Sequence, residues 1–288
     1  MARIATPLLT AETLAALRAA QARGDVEWSG SLDLGRSVEP IALDIEGFVW
    51  RDTRWPWPAA DTRLKERTVH AFLDGDWRPV QRFGGSLIKL VPTDWGPPTF
   101  EIDGIKMLPT AQVSPWDDAA AKVALVQPRG KRILDCCGGL GYYAAHALAK
   151  GAAEVQSIEK NPDVIWLRQL NPWSPDVDDP ANVGRFTLTN GDIATLIATL
   201  PDAYFDAALH DPPRFGSAGE LYSLAFYEQL ARVLKPGAPL FHYVGSPNAK
   251  TSGRDVPGEV IKRLEKAGFR AERKIDGVFA VRIAPRRR

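Results

Sequence analysis

The stretch RILDCCGGLGYYAAHALAKG, from Arg132 to Gly151, decides how the second half of the chain is expected to fold. It begins as a short apolar strand, turns through three glycines and continues as a helical segment rich in Ala and Leu. A glycine turn lets backbone N–H groups at the start of a helix approach a ligand. In an α/β sheet such a turn lies at the carboxyl edge of the strands, where ligands bind. We therefore expect a cofactor site at this turn.

Two cofactor motifs fit the turn. Gly139, Gly141 and Ala144 satisfy G-x-G-x-x-A, which is typical of nicotinamide and flavin dinucleotide sites. Asp135 instead completes D-x-x-x-G-x-G. That pattern resembles the first motif of class I S-adenosylmethionine (SAM)-dependent methyltransferases, and the resemblance implies that the acid helps to hold the turn and faces the methionine end of SAM. Cys137 stands where that family often has its first glycine.

Two further acids follow later strands. Glu159 ends the strand EVQSIE, 24 residues after Asp135, which is the distance expected of a carboxylate that accepts from ribose hydroxyls. A surface ion pair with Lys160 and the helix-capping role of a loop acid are the alternatives. Asp192 resembles the methyltransferase acid that accepts from the adenine amino group, but an Asp directly before IATLIATL would also cap that helix. The predicted cofactor site comprises Asp135, Gly139, Gly141, Glu159 and Asp192.

The strand pattern divides the chain into two parts. Residues 1–113 begin with a polar-interrupted helix and continue as short alternating runs broken by Gly, Pro and Asp, which predict a β-rich domain of hairpins that selects the substrate. Residues 114–288 alternate apolar strands with helical segments, which predicts a parallel sheet covered by helices. The expected fold is α/β, a Rossmann-like class I methyltransferase sheet of seven strands with the last one antiparallel.

The fourth strand of this sheet ends in FDAALHDPPRFG, residues 205–216, where a polar HDPPR follows an apolar run. Two prolines set φ and remove two N–H donors, so the segment offers carbonyl oxygens and the Asp211 carboxylate. Such acceptors hold an amine by its N–H groups and turn its lone pair toward an electrophile. We therefore predict that the catalytic, acceptor-facing group comprises Asp211, Pro212, Pro213 and Arg214.

This segment resembles the [DNS]-P-P-aromatic motif of amino-methyltransferases that act on nucleobases, glutamine amides and related planar nitrogens. It is also similar to the D-P-P-basic-F variant of some ribosomal-RNA methyltransferases. Arg214 replaces the aromatic residue, so its guanidinium could stack on the acceptor, clamp a carboxylate or phosphate, or pair with Glu220. The run from PWDDAAAKV to LFHYVG resembles a family of predicted class I methyltransferases best known from archaea, which implies SAM binding and little about the acceptor.

Three other polar residues, His210, His242 and Tyr243, are candidates for proton transfer. Strand alternation favours a packed His210, because its side chain and that of Asp211 point to opposite faces. We interpret the adjacent cysteines 136 and 137 as packing residues, because no further Cys or His beside them supplies a metal set or a base. No metal site is expected.

Composition narrows the function classes. The 288 residues are 45% hydrophobic and 25% charged, which indicates a globular chain with one large domain or two ordinary ones. Apolar runs shorter than the roughly 20 residues of a bilayer span and the lack of a signal-peptide pattern predict no membrane partner. Two adjacent cysteines fit a reducing, cytoplasmic location. A net charge of +1 gives no general attraction to nucleic acid, although the final RIAPRRR is basic.

The sequence thus predicts a SAM-dependent methyltransferase that methylates a nitrogen of a planar acceptor, either an RNA base or a small anionic metabolite. Aminopropyl transfer from decarboxylated SAM is a second hypothesis, because the same fold makes polyamines, but Arg214 beside Asp211 is the wrong charge for a polycation. A NAD-dependent oxidoreductase and a non-catalytic binding module are two further hypotheses. The oligomeric state and the methylated atom stay open.

Overall fold

The computed structural model describes residues 3–60, 62–213, 218–245 and 255–284. The chain forms two compact units. The N-terminal unit comprises Met1–Trp116 and Trp166–Ser174, and the C-terminal unit comprises Asp117–Ile165 and Pro175–Arg288. The sequence did not predict that Trp166–Ser174 belongs to the N-terminal unit. Helical periodicity shows that a segment has an apolar face, but not which part of the chain covers that face.

The N-terminal unit consists mainly of short strands. Its elements are β1 (Leu8–Leu9), α1 (Ala11–Ala22), β2 (Glu27–Gly30), β3 (Glu39–Leu43), β4 (Gly47–Trp50), β5 (Thr53–Pro56), β6 (His70–Leu73), β7 (Asp76–Pro79), β8 (Gln81–Phe83), β9 (Leu87–Val91), β10 (Thr99–Ile102) and β11 (Ile105–Lys106). They form antiparallel sheets in the orders β2-β3-β4-β5, β1-β6-β7 and β11-β10-β9-β8. Leu17 of α1, Ile41 and Phe48 are wholly buried in the core of this unit.

The C-terminal unit alternates strands and helices. Its elements are α2 (Pro115–Val126), β12 (Arg132–Asp135), α3 (Tyr142–Ala149), β13 (Glu154–Glu159), α4 (Pro162–Leu170), β14 (Phe186–Asn190), α5 (Ile193–Leu196), β15 (Ala207–His210), α6 (Leu224–Val233), β16 (Pro239–Tyr243), α7 (Val256–Lys266), β17 (Phe269–Lys274) and β18 (Gly277–Arg282). Helix α2 begins two residues before this unit, and α4 ends in the N-terminal unit.

These strands form one sheet in the order β14-β13-β12-β15-β16-β18-β17. Neighbours from β14 to β16 pair in parallel, and β18 is antiparallel to both β16 and β17. The predicted seven-stranded sheet with an antiparallel last strand is confirmed. Leu134, Ala208 and Leu240, on the three central strands, are wholly buried in its core. None of the described helices is both long enough and apolar enough to cross a membrane.

One predicted helix is divided in two. We expected a continuous helix over ELYSLAFYEQLARVLK, but a 3-10 turn at Gly219–Tyr222 precedes α6. Ser223 has extended backbone, and its hydroxyl accepts a hydrogen bond from the Phe226 N–H at 3.1 Å. A serine that caps a helix in this way ends the preceding turn, so the prediction of one helix was wrong.

Gly277, at the start of β18, lies against its neighbouring strand. A Cβ atom at this position would be 2.3 Å from the His242 carbonyl oxygen, which is backbone and cannot move aside cheaply. We expect Gly277→Ala to lower the free energy of unfolding by about 1–3 kcal/mol, measured by urea denaturation. Gly219→Ala is the control, because no atom of the described residues, apart from its two chain neighbours, lies within 4 Å of its added methyl group. Equal losses in the two variants would contradict the prediction.

Candidate functional site

Four polar side chains follow neighbouring central strands at one edge of the sheet. Asp135, Glu159 and Tyr243 are the last residues of β12, β13 and β16, and Asp211 directly follows β15. The order β13-β12-β15-β16 places these strand ends side by side. The structure therefore brings residues predicted for the cofactor and for the acceptor to the same edge, which is where α/β sheets bind ligands.

The glycine turn between β12 and α3 is joined to Glu159. Gly139 and Gly141 have φ angles of 48° and 81°, in the left-handed region that favours glycine. The Gly139 N–H donates to Glu159 Oε2 at 2.9 Å, and the Asn161 N–H donates to Glu159 Oε1 at 2.8 Å. Two parts of the predicted cofactor site are thus in direct contact.

Asp135 is wholly buried and accepts a hydrogen bond from the Ser157 hydroxyl at 2.7 Å, which ties β12 to β13. Asp192 accepts from the Ala194 N–H at 2.9 Å and pairs with Lys160 Nζ at 2.7 Å. Partial burial acts to raise the pKa of Asp192, but these two contacts outweigh it and lower the pKa. Asp192 therefore caps α5, which is one of the two roles that the sequence predicted for it. Its contact with adenine stays a prediction.

Asp211 is partly buried, and the segment after it is held in place. Burial raises the pKa of Asp211 to about 7; the charge of Lys122 opposes this shift, and Asp118 and Asp276 add to it. The Tyr222 hydroxyl donates to the Pro213 carbonyl at 3.0 Å. Pro212 is buried. Arg214 lies outside the described residues, so its predicted stacking or clamping role is untested.

The structure also reveals an acidic cluster that the sequence analysis did not predict. It consists of Asp118, Lys122, Asp211 and Asp276, three carboxylates around one ammonium. Lys122 Nζ lies 2.7 Å from Asp118 Oδ2 and 2.9 Å from Asp276 Oδ2, and 4.5 Å from the centre of the Tyr243 ring. The Lys122 side chain is only 2% exposed. Burial acts to lower its pKa, but Asp211, Asp118 and Asp276 raise it, so the ammonium stays charged.

Two residues of this cluster, Lys122 and Asp118, could have been recognised as a pair from the local sequence. Lys122 falls between Ala119 and Val123 on the buried face of α2, and a lysine in an apolar stripe must be paired. Asp118, four residues earlier, has the spacing of such a partner. No local sequence pattern indicates that Asp276 belongs to this cluster. It lies in the turn between β17 and β18, where we expected only a turn residue.

Two tyrosines add hydroxyl groups to this edge. Tyr143, on α3, is buried, and no described residue is a hydrogen-bond partner of its hydroxyl. Burial raises its pKa well above the ordinary value, and the charge of Asp211 adds to the effect. Burial and Asp211 also raise the pKa of Tyr243 to about 12. Both phenols stay protonated near neutral pH, so neither is a base in its resting state.

The two strand histidines are packed. His210 Nε2 lies 3.1 Å from the Leu221 carbonyl oxygen, and His242 Nε2 lies 2.8 Å from the Tyr227 hydroxyl. Burial lowers the pKa of His210 to about 4 and lowers that of His242 well below the ordinary value. Both are neutral near pH 7. These contacts support the packed interpretation rather than a role as general base.

The adjacent cysteines are unreactive. Burial raises the pKa values of Cys136 and Cys137 well above the ordinary value, so both stay thiols. A thiol is a poor nucleophile and a poor metal ligand. In the part of the chain that the structure describes, no group of three or more His, Cys, Asp or Glu residues is arranged to hold a metal ion.

Similar solved structures show the fold of this chain. A spermidine synthase in complex with the transition-state analogue AdoDATO has a TM-score of 0.55 and 16% identity, with 70% of this chain and 72% of that chain covered. The spermidine synthase of Thermotoga maritima has a TM-score of 0.52 and 16% identity, with 70% and 71% covered. The expected Rossmann-like α/β fold is therefore confirmed by known structures.

No protein-family model matches the chain. It is 27% identical over 186 residues to polyamine aminopropyltransferase 2 of Streptomyces coelicolor, covering 63% of this chain and 33% of that protein. It is 30% identical over 114 residues to putrescine N-methyltransferase 1 of Nicotiana tabacum, covering 38% and 29%. The chain thus spans about a third of the length of these two relatives.

A third relative matches over a much larger share of its length. The chain is 42% identical over 221 residues to "Uncharacterized protein MJ1233" of Methanocaldococcus jannaschii, covering 75% of this chain and 74% of that protein. An identity this high over most of both chains shows common descent. The chain belongs to the same family as protein MJ1233.

Proposed function

We propose that this protein transfers the methyl group of SAM to the nitrogen of an amine that is positively charged in solution. The observation that carries the proposal is the acidic cluster, in which Asp211, with a pKa raised to about 7, lies near two further carboxylates and one ammonium. Three carboxylates exceed one ammonium, so the cluster favours a cationic acceptor. This charge argues against the small anionic metabolite that the sequence suggested.

The residues at the glycine turn fit SAM. The turn has two glycines with positive φ and the Glu159 carboxylate beside it, so backbone and an acceptor for ribose hydroxyls lie together. The residues that would hold SAM are Asp135, Gly139, Gly141, Glu159 and Asp192. When bound, SAM supplies a methyl group on a sulfonium, whose sulfur departs as a neutral thioether.

Asp211 is proposed to prepare the acceptor nitrogen. An ammonium has no lone pair with which to attack, so it must first lose a proton. A carboxylate with a pKa near 7 is partly ionised at neutral pH and is a stronger base than an ordinary Asp. Pro212 and Pro213 have no N–H, so their backbone does not compete for the nitrogen lone pair. Asp211 would thus take the proton and orient the amine.

Aminopropyl transfer from decarboxylated SAM is the second candidate. It is favoured by the similarity to polyamine aminopropyltransferase 2 and by the spermidine synthase fold. The charge of Arg214 argued against it in the sequence, but the placement of that residue is not described. The described acidic cluster has the charge that a polyamine requires.

A labelled-donor assay tests both candidates. The purified protein would be incubated with methyl-labelled SAM, or with decarboxylated SAM labelled in its aminopropyl group, in the presence of diamines, polyamines, RNA or small organic acids. Transfer of the methyl label to an amine supports the main proposal, and transfer of the aminopropyl label alone supports the second. Methyl transfer only to RNA or to an acid would overturn the cationic acceptor. No transfer from either donor would contradict both candidates.

Glu159→Ala tests the proposed SAM site. We expect a loss of about 2–3 kcal/mol in SAM binding, or a weakening of tens-fold or more, because two charge-assisted bonds to ribose are removed. Isothermal titration calorimetry gives the affinity. Glu154→Ala, at the opposite end of β13, is the matched control and should bind SAM as the unchanged protein does. Unchanged affinity in Glu159→Ala would remove Glu159 from the site.

A further inference from the structure

A cavity of about 230 Å³ lies within the N-terminal unit. Its lining includes Arg3, Arg36, Arg51, Asp33, Ser37 and Trp50. Three arginines against one aspartate give the charged residues of the lining a net charge of +2, and Glu39, outside the lining, pairs with Arg51 at 2.9 Å and reduces this excess to +1. A concave site with converging cations is the arrangement expected of an anion-binding pocket.

A tight hairpin turn places Arg51 at this cavity. Arg51 forms the two-residue connection between the antiparallel strands β4 and β5 with Asp52, and the φ angles of these residues are 49° and 60°. Positive φ at both residues is what a two-residue hairpin connection commonly requires. The Arg51 guanidinium carbon lies 4.2 Å from the centre of the Trp50 ring. The turn thus directs a cation onto an aromatic face.

A buried carboxylate orients this cation. Asp33 is 2% exposed and accepts from Ser37 N–H at 2.8 Å, from the Ser37 hydroxyl at 2.6 Å and from Arg51 at 2.8 Å. Burial acts to raise the pKa of Asp33, but the Ser37 bonds and the Arg51 charge outweigh it and lower the pKa. Asp33 therefore stays ionised. It is a positioning residue for Arg51 rather than a ligand for an anion.

Arg36 adds further donors to the cavity lining. Arg36 donates to the Pro172 carbonyl, yet a guanidinium carries five N–H donors. The lining therefore offers donors of the kind that an oxyanion accepts.

We infer that this cavity binds the oxyanion group, a carboxylate or a phosphate, of a small ligand. Arginine forks match the geometry of both groups. A volume of about 230 Å³ is below the roughly 300–1,000 Å³ of pockets for drug-sized ligands, so the bound part is small. This inference is independent of the proposed transfer reaction, because all of the residues that carry it lie in the N-terminal unit.

The test uses the full-length protein with two probes, inorganic phosphate and succinate, followed by calorimetry and tryptophan fluorescence. We expect saturable binding of at least one probe. Arg36→Gln and Arg51→Gln should each weaken it by about tenfold or more, since each removes charge-assisted hydrogen bonds. Trp50→Phe should reduce the fluorescence change. Arg78→Gln, which alters an exposed pair with Asp74, is the control and should bind as the unchanged protein does.

The outcomes separate the sources of the oxyanion. Binding of phosphate alone indicates a phosphorylated ligand, and binding of succinate alone indicates a carboxylate. No saturable binding of either probe would overturn the inference. So would equal affinity in Arg36→Gln and the Arg78→Gln control, and this comparison stands even where Arg51→Gln fails to fold.

Discussion

Asp211→Asn is expected to lower the rate of alkyl transfer by a factor of about 10²–10⁴ while SAM affinity is unchanged, because the variant loses a general base but retains an acceptor oxygen. Single-turnover measurements at neutral pH give the rate, and calorimetry gives the affinity. Asp178→Asn, at an exposed loop position, is the matched control. The Asp211→Asn variant should regain activity at alkaline pH, where the amine substrate loses its proton to solvent. Substantial activity at neutral pH would show that Asp211 only orients the nitrogen.

The same variant should be more stable than the unchanged protein above neutral pH. The pKa of Asp211 is raised from 3.8 to about 7 in the folded chain. Between these values the folded state binds a proton that the unfolded state does not, so stability falls as the pH rises through this window. Asn carries no such penalty. At pH 8 the free energy of unfolding of the variant should therefore exceed that of the unchanged protein by up to about 4 kcal/mol. Urea denaturation of both proteins at pH 4 and pH 8 measures this gain. If the variant and the unchanged protein differ in free energy of unfolding by the same amount at both pH values, the raised pKa of Asp211 is contradicted.

Lys122→Met is expected to lower the free energy of unfolding by about 1–3 kcal/mol at neutral pH, because it leaves partly buried carboxylates without their cation. Asp118 Oδ2 and Asp276 Oδ2 lie 2.7 and 2.9 Å from the lysine nitrogen, so both lose an ion pair. Urea denaturation measures the loss. Lys262→Met is the matched control, because Lys262 is 70% exposed and pairs only at the surface of α7. Similar losses in the two variants would contradict a special role for the buried lysine.

Lys122→Met should also change the pH dependence of the reaction. The charge of Lys122 lowers the pKa of Asp211, so its removal should raise that pKa and move the acid limb of the rate profile to higher pH. The stability loss should shrink in acid, where protonated carboxylates no longer need a cation. A stable variant with an unshifted rate profile would show that Lys122 does not act on Asp211.

Local patterns predicted most of the C-terminal sheet. The stretch from Arg132 to Gly151 folds as the expected strand, turn and helix, since each of these elements is encoded by neighbouring residues. Where a local pattern had two solutions, only the structure separated them. Ser223 lies within a helical pattern but caps a new helix, and Asp192 caps α5 while its adenine contact stays a prediction.

The sequence by itself was enough to single out Asp135, Glu159 and Asp211 as candidate site residues, because each stands next to a strand end, a glycine turn or a proline pair that is visible locally. The acidic cluster could not be predicted in this way. Lys122 lies on α2 before the first strand of the sheet, and Asp276 lies in the turn between its last two strands. They meet because β18 inserts beside β16, where Tyr243 pairs with Gly277, and so brings that turn to the carboxyl edge. Sheet order is a long-range property set by the packing of the whole unit, and no short window of sequence contains it.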